Sequence, residues 1–206
     1  MGRRGATDSL QVEDAIGRTP RRFFNPLDGF WHTQITQGEA YVTEKQDEVI
    51  TTILGSCVSA CIRDPVTRIG GMNHFLLPEG DVTDGGAMRY GVYAMELLIN
   101  SILGRGAARE RLQAKLFGGA NVMAALSDIG SRNAEFAERF LTDEGIPIMG
   151  GDLRGSTPRR IQFWPATGRA RQLSIVADVR QLVQHELQEA RAGQRETEQG
   201  NDVELF

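Results

Sequence analysis

The chain is short of cysteine and histidine, and these shortages exclude two classes of protein. Its 206 residues include two cysteines and three histidines. Two cysteines are too few for the disulfide framework of a small secreted protein, and Cys57 and Cys61 with so few histidines make a poor zinc site. We therefore expect a protein of the reducing cytoplasm that holds no metal.

A long apolar run and an excess of positive charge are also absent. The best apolar run, residues 92–103, is interrupted by Glu96 and Asn100, so it falls short of the ~18 residues that a membrane helix requires. The arginines near the N-terminus precede no apolar stretch, which argues against a signal peptide. The formal net charge of -4 argues against nucleic acid or an anionic membrane as a partner.

Charge and periodicity divide the chain into three parts. Residues 1–28 mix Gly, Arg, Thr, Asp and Pro without periodicity and predict a flexible N-terminal arm. Residues 29–185 contain short strand and helix patterns and predict the folded domain, which ends in a polar helix from residue 179. Residues 186–206 hold six acidic side chains and two arginines, so this predicted disordered tail accounts for the whole net charge.

Apolar and β-branched stretches within the predicted domain indicate short strands. The β-branched run at residues 48–54 predicts a strand that ends at Gly55. Residues 58–63 and 69–77 predict two further strands, and the intervening Asp64-Pro65-Val66-Thr67 has the proline of a tight turn. We therefore expect an antiparallel hairpin here. Further strands are predicted at residues 112–117, 146–149, 160–164 and 172–177.

Two segments have the spacing of amphipathic helices. Residues 90–103 place four apolar side chains on one helical face. Ser131 can cap a second helix that runs through Glu144, with Phe136 and Phe140 on a shared face. The four apolar side chains of the first helix are Met95, Leu98, Ile99 and Ile102. Together with the strands, these helices give an alternating α/β pattern.

Cys57 and His74 lie on the two strands of the predicted hairpin. If the hairpin is centred on the Pro65–Val66 bond, the two side chains are directly opposed, with Cβ atoms roughly 4.5–5.5 Å apart. That separation lets an imidazole take the proton of a thiol, which activates a cysteine nucleophile. A bulge at Gly70-Gly71 would shift the register by one residue. A free cysteine is also commonly an inert core residue, so both interpretations of Cys57 stand on the residues alone.

Two further groups would complete such a site. Thr51 shares the strand parity of Cys57 and is favoured as the residue that orients the imidazole, whereas Thr52 points to the other face of a regular strand. The tight turn before Cys57 can leave the backbone N–H groups of Ser56 and Cys57 directed at an oxyanion. Cys61 lies about 13 Å further along the strand, too far for a disulfide, and is predicted to be a packing residue.

Several longer segments carry a family resemblance. They include Leu54-Gly55-Ser56-Cys57-Val58, Asp64-Pro65 and Gly70-Gly71-Met72-Asn73-His74-Phe75-Leu76-Leu77-Pro78. They continue with Lys115-Leu116-Phe117-Gly118-Gly119-Ala120, the helix at residues 133–145 and Phe163-Trp164-Pro165-Ala166-Thr167-Gly168. These segments span most of residues 40–176, and they resemble the CheD family of chemoreceptor glutamine deamidases.

The resemblance implies roles for the residues already singled out, and a fold. By it Cys57 is the nucleophile, His74 is the general base and acid, and Thr51 is the third catalytic residue. It implies a single layered α/β/α domain with a mixed or antiparallel sheet, similar to the catalytic domain of the cytotoxic necrotizing factor toxins. It implies no metal or organic cofactor.

The resemblance also implies a reaction and partners. The expected enzyme is a cysteine-dependent protein-glutamine amidohydrolase. It converts glutamines on cytoplasmic helices of methyl-accepting chemotaxis receptors to glutamates through a Cys57 thioester, with release of ammonia. The alternative is a binding regulator of a CheC-type phosphatase, with catalysis secondary, and a third reading is a redox protein that uses Cys57 and Cys61. Neither nucleic-acid binding nor membrane insertion is expected.

Overall fold

Short apolar stretches of the sequence become strands and helices in the computed structural model, which describes residues 20–77, 86–122 and 128–175. The predicted acidic tail, the polar helix before it and residues 1–19 of the predicted arm lie outside the described residues. The strands are β1 Arg21–Asn25, β2 Phe30–Gln34, β3 Ala40–Thr43, β4 Glu48–Leu54, β5 Val58–Arg63, β6 Gly70–Asn73, β7 Gln113–Gly118, β8 Ile148–Leu153, β9 Arg159–Trp164 and β10 Arg169–Ser174, and the helices are α1 Gly86–Leu103 and α2 Ile129–Asp143.

The strands form two five-stranded sheets. The first sheet has the order β1-β2-β4-β9-β10, and the second sheet has the order β3-β6-β5-β7-β8. Both sheets are mixed, because β2 runs parallel to β4 and β7 runs parallel to β8, whereas the other neighbours are antiparallel. The chain leaves the first sheet at the end of β4 and enters the second sheet at the start of β5.

Strand β5 separates two hydrophobic cores. Val58, Ala60 and Ile62 face the helices, and Cys61 faces the first sheet, as the alternation of a strand requires. Both faces of β5 are therefore covered, which explains why the strand is apolar almost throughout rather than alternating. One core fills the space between the second sheet and the helices, and the other fills the space between the two sheets.

The helices follow the predicted faces. The apolar face predicted for α1 is confirmed, because its four side chains are all buried. In α2 the rings of Phe136 and Phe140 pack against each other with centroids 5.9 Å apart. The predicted cap is wrong: α2 begins two residues before Ser131, with Asp128 at the N-cap position. Gly145 ends the helix with a φ of +67°, a conformation that favours glycine.

The predicted α/β class with mixed sheets is confirmed. Both described helices pack on the second sheet. The described residues therefore form three layers, with the second sheet between the first sheet and the helices. The reason is that Ile50, Leu54, Ile161 and Phe163 give the first sheet an apolar inner face, and that face is buried against the second sheet.

The predicted arm also contains structure. Strand β1 lies within residues 1–28 and pairs with β2 in antiparallel register. Phe23 stacks on His32 with ring centroids 5.3 Å apart, and the Arg22 guanidinium lies 4.2 Å from the centroid of the Trp31 ring. The aromatic side chains of β2 therefore give β1 a packing partner that its own composition does not reveal.

Candidate active site

The predicted nucleophile lies where the chain changes sheets. Strand β4 ends at Leu54, the chain turns through Gly55 and Ser56, and Cys57 leads directly into β5. The Cys57 side chain is fully buried and belongs to the core between the sheets, with Cys61 and other residues. Neither Cys57 nor Cys61 forms a disulfide bond.

The turn before Cys57 is held by its own carbonyl groups. The carbonyls of Gly55 and Cys57 accept hydrogen bonds from the N–H groups of Ala120 (2.8 Å) and Gly119 (2.7 Å). The Ser56 carbonyl accepts a 2.9 Å bond from Nδ2 of Asn133 on α2. Since C=O and N–H point in opposite directions across a trans peptide, the N–H groups of Ser56 and Cys57 point away from these donors.

The hairpin exists, but its predicted register is wrong. The observed pairs are Arg63 with Gly70 and Cys61 with Met72, followed by an isolated bridge between Val58 and Phe75. Continuing this register sets Cys57 diagonally across from His74 rather than directly opposite.

The loop of the hairpin is the physical reason for this shift. Asp64 N donates to Ile69 O, and Arg68 N donates to Asp64 O, both at 2.9 Å, so the turn is longer than one centred on the Pro65–Val66 bond. Because the offset from direct pairing is two residues, Cys57 and His74 remain on the same face of the second sheet. Such diagonal neighbours have Cα atoms on the order of 7–8 Å apart.

His74 is hydrogen-bonded to the first sheet through Thr52. Thr52 Oγ1 lies 2.8 Å from Nδ1 of His74 and donates to the carbonyl of Ile35, also at 2.8 Å. A carbonyl can only accept, so the single hydroxyl proton goes to Ile35, and Nδ1 must be the donor to Oγ1. The proton of the neutral imidazole is thereby fixed on Nδ1. Nε2 then has a lone pair, and this buried atom has no hydrogen-bond partner in the described structure.

The threonine that is hydrogen-bonded to His74 is therefore Thr52, whereas the catalytic role implied for Thr51 stays a prediction. In β4 the two threonines alternate, with Thr52 buried between the sheets and Thr51 half-buried on the other face. The parity that favoured Thr51 assumed one continuous strand through Cys57. Because the chain turns at residues 55 and 56 and changes sheets, that parity does not carry across the turn.

Burial sets the ionisation of the site. It lowers the pKa of His74 to about 3, so the imidazole is neutral near pH 7. Burial also raises the pKa of the Cys61 thiol, which keeps that sulfur protonated and unreactive. The pKa of Tyr90 is raised by burial and secondarily by the charge of an ionised Cys57, so the phenol lies close enough to sense the predicted nucleophile.

A small pocket opens beside His74. It has a volume of about 50 Å³, and its walls come from the segment before β3, the end of β6 and one face of α1. Gln37 lies in the same region, and its Oε1 accepts a hydrogen bond from the Cys57 thiol at a sulfur–oxygen distance of 3.6 Å. The pocket is lined by Gly38, Glu39, Ala40, Asn73, His74, Tyr90, Tyr93, Ala94 and Leu97.

Three residues of the site escape the sequence patterns. Thr52 is indistinguishable from Thr51 by composition, and Gln37 lies in a polar turn with no periodicity. Asn133 is fully buried on the apolar face of α2, where it accepts from the Leu77 N–H at 2.9 Å in addition to holding Ser56. A polar side chain on an apolar helical face is a usable signal, and only Asn133 offers one.

Residues 20–77, 86–122 and 128–175 contain no cluster of three or more His, Cys, Asp or Glu side chains that could hold a metal ion. Neither α1 nor α2 is long and apolar enough to cross a membrane.

Known proteins resemble this chain in sequence. A family model described as "CheD chemotactic sensory transduction" matches residues 76–173. A protein of Caulobacter vibrioides (strain NA1000 / CB15N) is 60% identical over 146 residues, which are 70% of this chain and 78% of that protein. One of Acidiphilium cryptum is 59% identical over 157 residues, or 74% and 82% of the two chains. Both have the name "Probable chemoreceptor glutamine deamidase CheD".

Less similar proteins include a further sequence relative and a solved structure. A relative from Xanthomonas campestris pv. campestris (strain B100), with the same name, is 51% identical over 163 residues, 78% of this chain and 79% of that protein. Among solved structures, the Bacillus licheniformis hypothetical protein YfiH covers 55% of this chain and 49% of its own at 15% identity, and its TM-score of 0.38 is too low to support any inference. The sequence relatives are sufficient to establish the family, because their identity extends over more than two thirds of both chains. This chain belongs to the CheD family.

Proposed function

We propose that this protein is a chemoreceptor glutamine deamidase, with Cys57 as nucleophile and His74 as general base and acid. The relatives have that name. The observation that carries the assignment of roles is the hydrogen bond of Thr52 to Nδ1 of His74, because it leaves Nε2 as the proton acceptor on the same face of the sheet as Cys57. Nucleophilic catalysis requires a base nitrogen with a free lone pair that can take the proton of the thiol.

The resting site holds a neutral pair in this proposal. The low pKa of His74 disfavours a stable imidazolium, and the neutral thiol donates a hydrogen bond to Oε1 of Gln37. Proton transfer from sulfur to Nε2 is therefore coupled to attack on the substrate carbon rather than completed before it. The same low pKa makes the transient imidazolium a strong acid, suited to protonating a departing amine.

The reaction then runs in two halves. The Cys57 sulfur forms a bond to the carboxamide carbon of a receptor glutamine, and its proton passes to Nε2 of His74. The tetrahedral intermediate collapses when His74 returns that proton to nitrogen, so the C–N bond breaks and ammonia leaves a thioester. Water, deprotonated by His74, attacks the thioester. The C–S bond breaks as His74 returns that proton to the sulfur, and glutamate and the free thiol are released.

The backbone around Cys57 supports an oxyanion site. With the carbonyls of Gly55 and Ser56 bonded to Ala120 and Asn133, the N–H groups of Ser56 and Cys57 are directed to the opposite side. Donors fixed before the reaction stabilise developing charge without reorganisation. The orientation of these peptides is consistent with the predicted role of Ser56 and Cys57.

A mass measurement tests the proposed function. A receptor cytoplasmic fragment is incubated with the protein and its peptides are mapped for conversion of glutamine to glutamate. We expect conversion by the wild type and a loss on the order of 10⁴-fold or more in Cys57→Ala and His74→Ala. The matched control is Cys61→Ala, which removes the other buried thiol and should retain activity. Equal conversion by wild type and Cys57→Ala would sink the proposal.

The resemblance also suggests docking to a CheC-type phosphatase. No contact or surface of the described residues favours this second role over the first. A pull-down with such a phosphatase, repeated with Cys57→Ala, separates the two roles, because docking survives loss of the thiol and deamidation does not.

A further inference from the structure

Gln37 lies in a tightly bonded turn between β2 and β3. The Thr36 N–H donates to Oε2 of Glu39 at 2.7 Å, and the Glu39 N–H returns a bond to the Thr36 carbonyl at 3.1 Å. Gly38 has a φ of +85°, which lets the chain reverse here. The Gln37 backbone is therefore held between two reciprocal hydrogen bonds.

The same turn is bonded to the backbone of the predicted general base. The Gly38 N–H donates to the His74 carbonyl at 2.8 Å, and the His74 N–H donates to the Glu39 carbonyl at 2.9 Å. Just before the turn, the Ile35 carbonyl accepts a hydrogen bond from the Thr52 hydroxyl. The segment that presents Gln37 is thus hydrogen-bonded to the backbone of His74 on both sides.

The Gln37 carboxamide contacts the sulfur that the proposed mechanism uses, but that mechanism gives it no task. Its Oε1 accepts from the Cys57 thiol at 3.6 Å. This contact is with the amide oxygen, which identifies Gln37 as a hydrogen-bonding partner of the thiol.

We propose that Gln37 is a catalytic residue whose side-chain amide binds the oxyanion formed at Cys57, and this inference rests on the proposed function. A carboxamide has an acceptor and a donor on one planar group, and half a turn about its last bond exchanges them. In the resting site, Oε1 of Gln37 accepts a hydrogen bond from the Cys57 thiol. Once the sulfur has bonded to carbon and the proton has gone to His74, the Gln37 carboxamide turns so that its own Nε2 donates a hydrogen bond to the adjacent oxyanion.

The chemistry at Cys57 makes an uncharged donor useful there. The oxyanion is bonded to the carbon that the sulfur attacks, so it develops next to the group already touching that sulfur. An amide stabilises it without titrating, whereas a lysine or arginine would also favour the thiolate in the resting enzyme. Gln37 would therefore act mainly on the intermediate, together with the backbone of Ser56 and Cys57.

Two variants and a matched control test this role. Gln37→Ala removes the amide, and Gln37→Glu keeps its shape but replaces the donor with a negative charge. We expect kcat for receptor-fragment deamidation to fall roughly 10²- to 10³-fold in both, with KM nearly unchanged. Gln34→Glu makes the same chemical change on β2, opposite Thr51, and should leave kcat unchanged.

A second readout separates the oxyanion role from a structural one. The rate at which iodoacetamide alkylates Cys57 reports the thiol and not a tetrahedral intermediate, so in Gln37→Ala this rate should not fall with kcat. An unchanged kcat, a rise in KM alone, or an alkylation rate that falls as far as kcat would each overturn the role.

Peptide mapping of the purified protein covers the remaining case. If Gln37 is found as glutamate in the wild type and as glutamine in Cys57→Ala, then Gln37 is a substrate and the proposed role is wrong. If the wild type leaves every receptor glutamine intact, the proposed function fails and this inference falls with it. An active wild type with active Gln37 variants contradicts this inference alone.

Discussion

At the residue scale, the number of protons on one threonine decides the chemistry of His74. The Thr52 hydroxyl has one proton and two polar neighbours, the Ile35 carbonyl and the His74 imidazole, both at 2.8 Å. Because the carbonyl cannot donate, the hydroxyl must accept from the imidazole. The tautomer of His74 is thereby fixed without a carboxylate, and burial keeps the ring neutral.

Replacing Thr52 by valine should remove the hydrogen bond that keeps the proton of His74 on Nδ1. Thr52→Val keeps the branched shape but leaves Nδ1 of His74 and the Ile35 carbonyl without their partner, and we expect kcat to fall roughly 10²-fold. The control is Thr51→Val, the same change one residue earlier on the opposite face, which should leave kcat unchanged. Steady-state release of ammonia measures both, and a loss confined to Thr51→Val would support the sequence-based choice of Thr51.

At the element scale, the end of β7 supports the nucleophile turn. Gly118 has a φ of +107°, and a Cβ added there would lie 2.2 Å from the Cys57 carbonyl oxygen. The next residue, Gly119, donates to that same carbonyl. The last residues of β7 therefore approach Cys57 so closely that only glycine fits, and they fix the position of its backbone.

Gly118→Ala should displace Cys57, and Gly106→Ala is its matched control. Gly106 has a similar φ of +102° but nothing within 4 Å of an added Cβ, so alanine there costs only the backbone strain of about 1–3 kcal/mol. We expect Gly118→Ala to lower Tm further and to abolish deamidation, while Gly106→Ala stays active. Thermal unfolding and the receptor assay decide this, and an active, equally stable Gly118→Ala would contradict the close contact.

At the scale of the whole molecule, a histidine held between two sheets makes folding sensitive to acid. The pKa of His74 is about 3 in the folded protein and 6.5 for the ordinary group. Between these values the unfolded chain binds a proton at His74 that the folded chain does not. The free energy of unfolding therefore falls as the pH drops from 6.5 toward 3, and the contribution is complete above pH 6.5.

The size of this effect is measurable by urea unfolding. Lowering the pH from 6.5 to 5 should cost the wild type about 2 kcal/mol through His74, and His74→Gln should lose that dependence. Asp64, whose pKa is lowered chiefly by its hydrogen bonds to Arg111, loses its stabilising contribution only at more acid pH, so it does not interfere. Identical pH dependence in the two proteins would show that the imidazole is not buried neutral.

The sequence predicted elements better than it predicted contacts. Strand β4 and the face of α1 follow from β-branched runs and helical spacing, which are local properties of the chain. Strand β2 was missed because it is stabilised by parallel pairing with β4 and by the aromatic contacts of β1, which no local pattern encodes. The hairpin register was wrong because the bonds within the loop at residues 64–69 lengthen the turn.

What the sequence determined by itself is the chemical inventory: a thiol at Cys57, an imidazole at His74 and a family resemblance that names a reaction. Which side chains meet was decided by the tertiary structure. The chain changes sheets at residues 55 and 56, so strand parity is lost there, and Thr52 rather than Thr51 reaches His74. Hydrogen bonds to the His74 backbone help to hold the turn that carries Gln37 near Cys57. Contacts between segments distant along the chain depend on packing, and packing is not a local property of sequence.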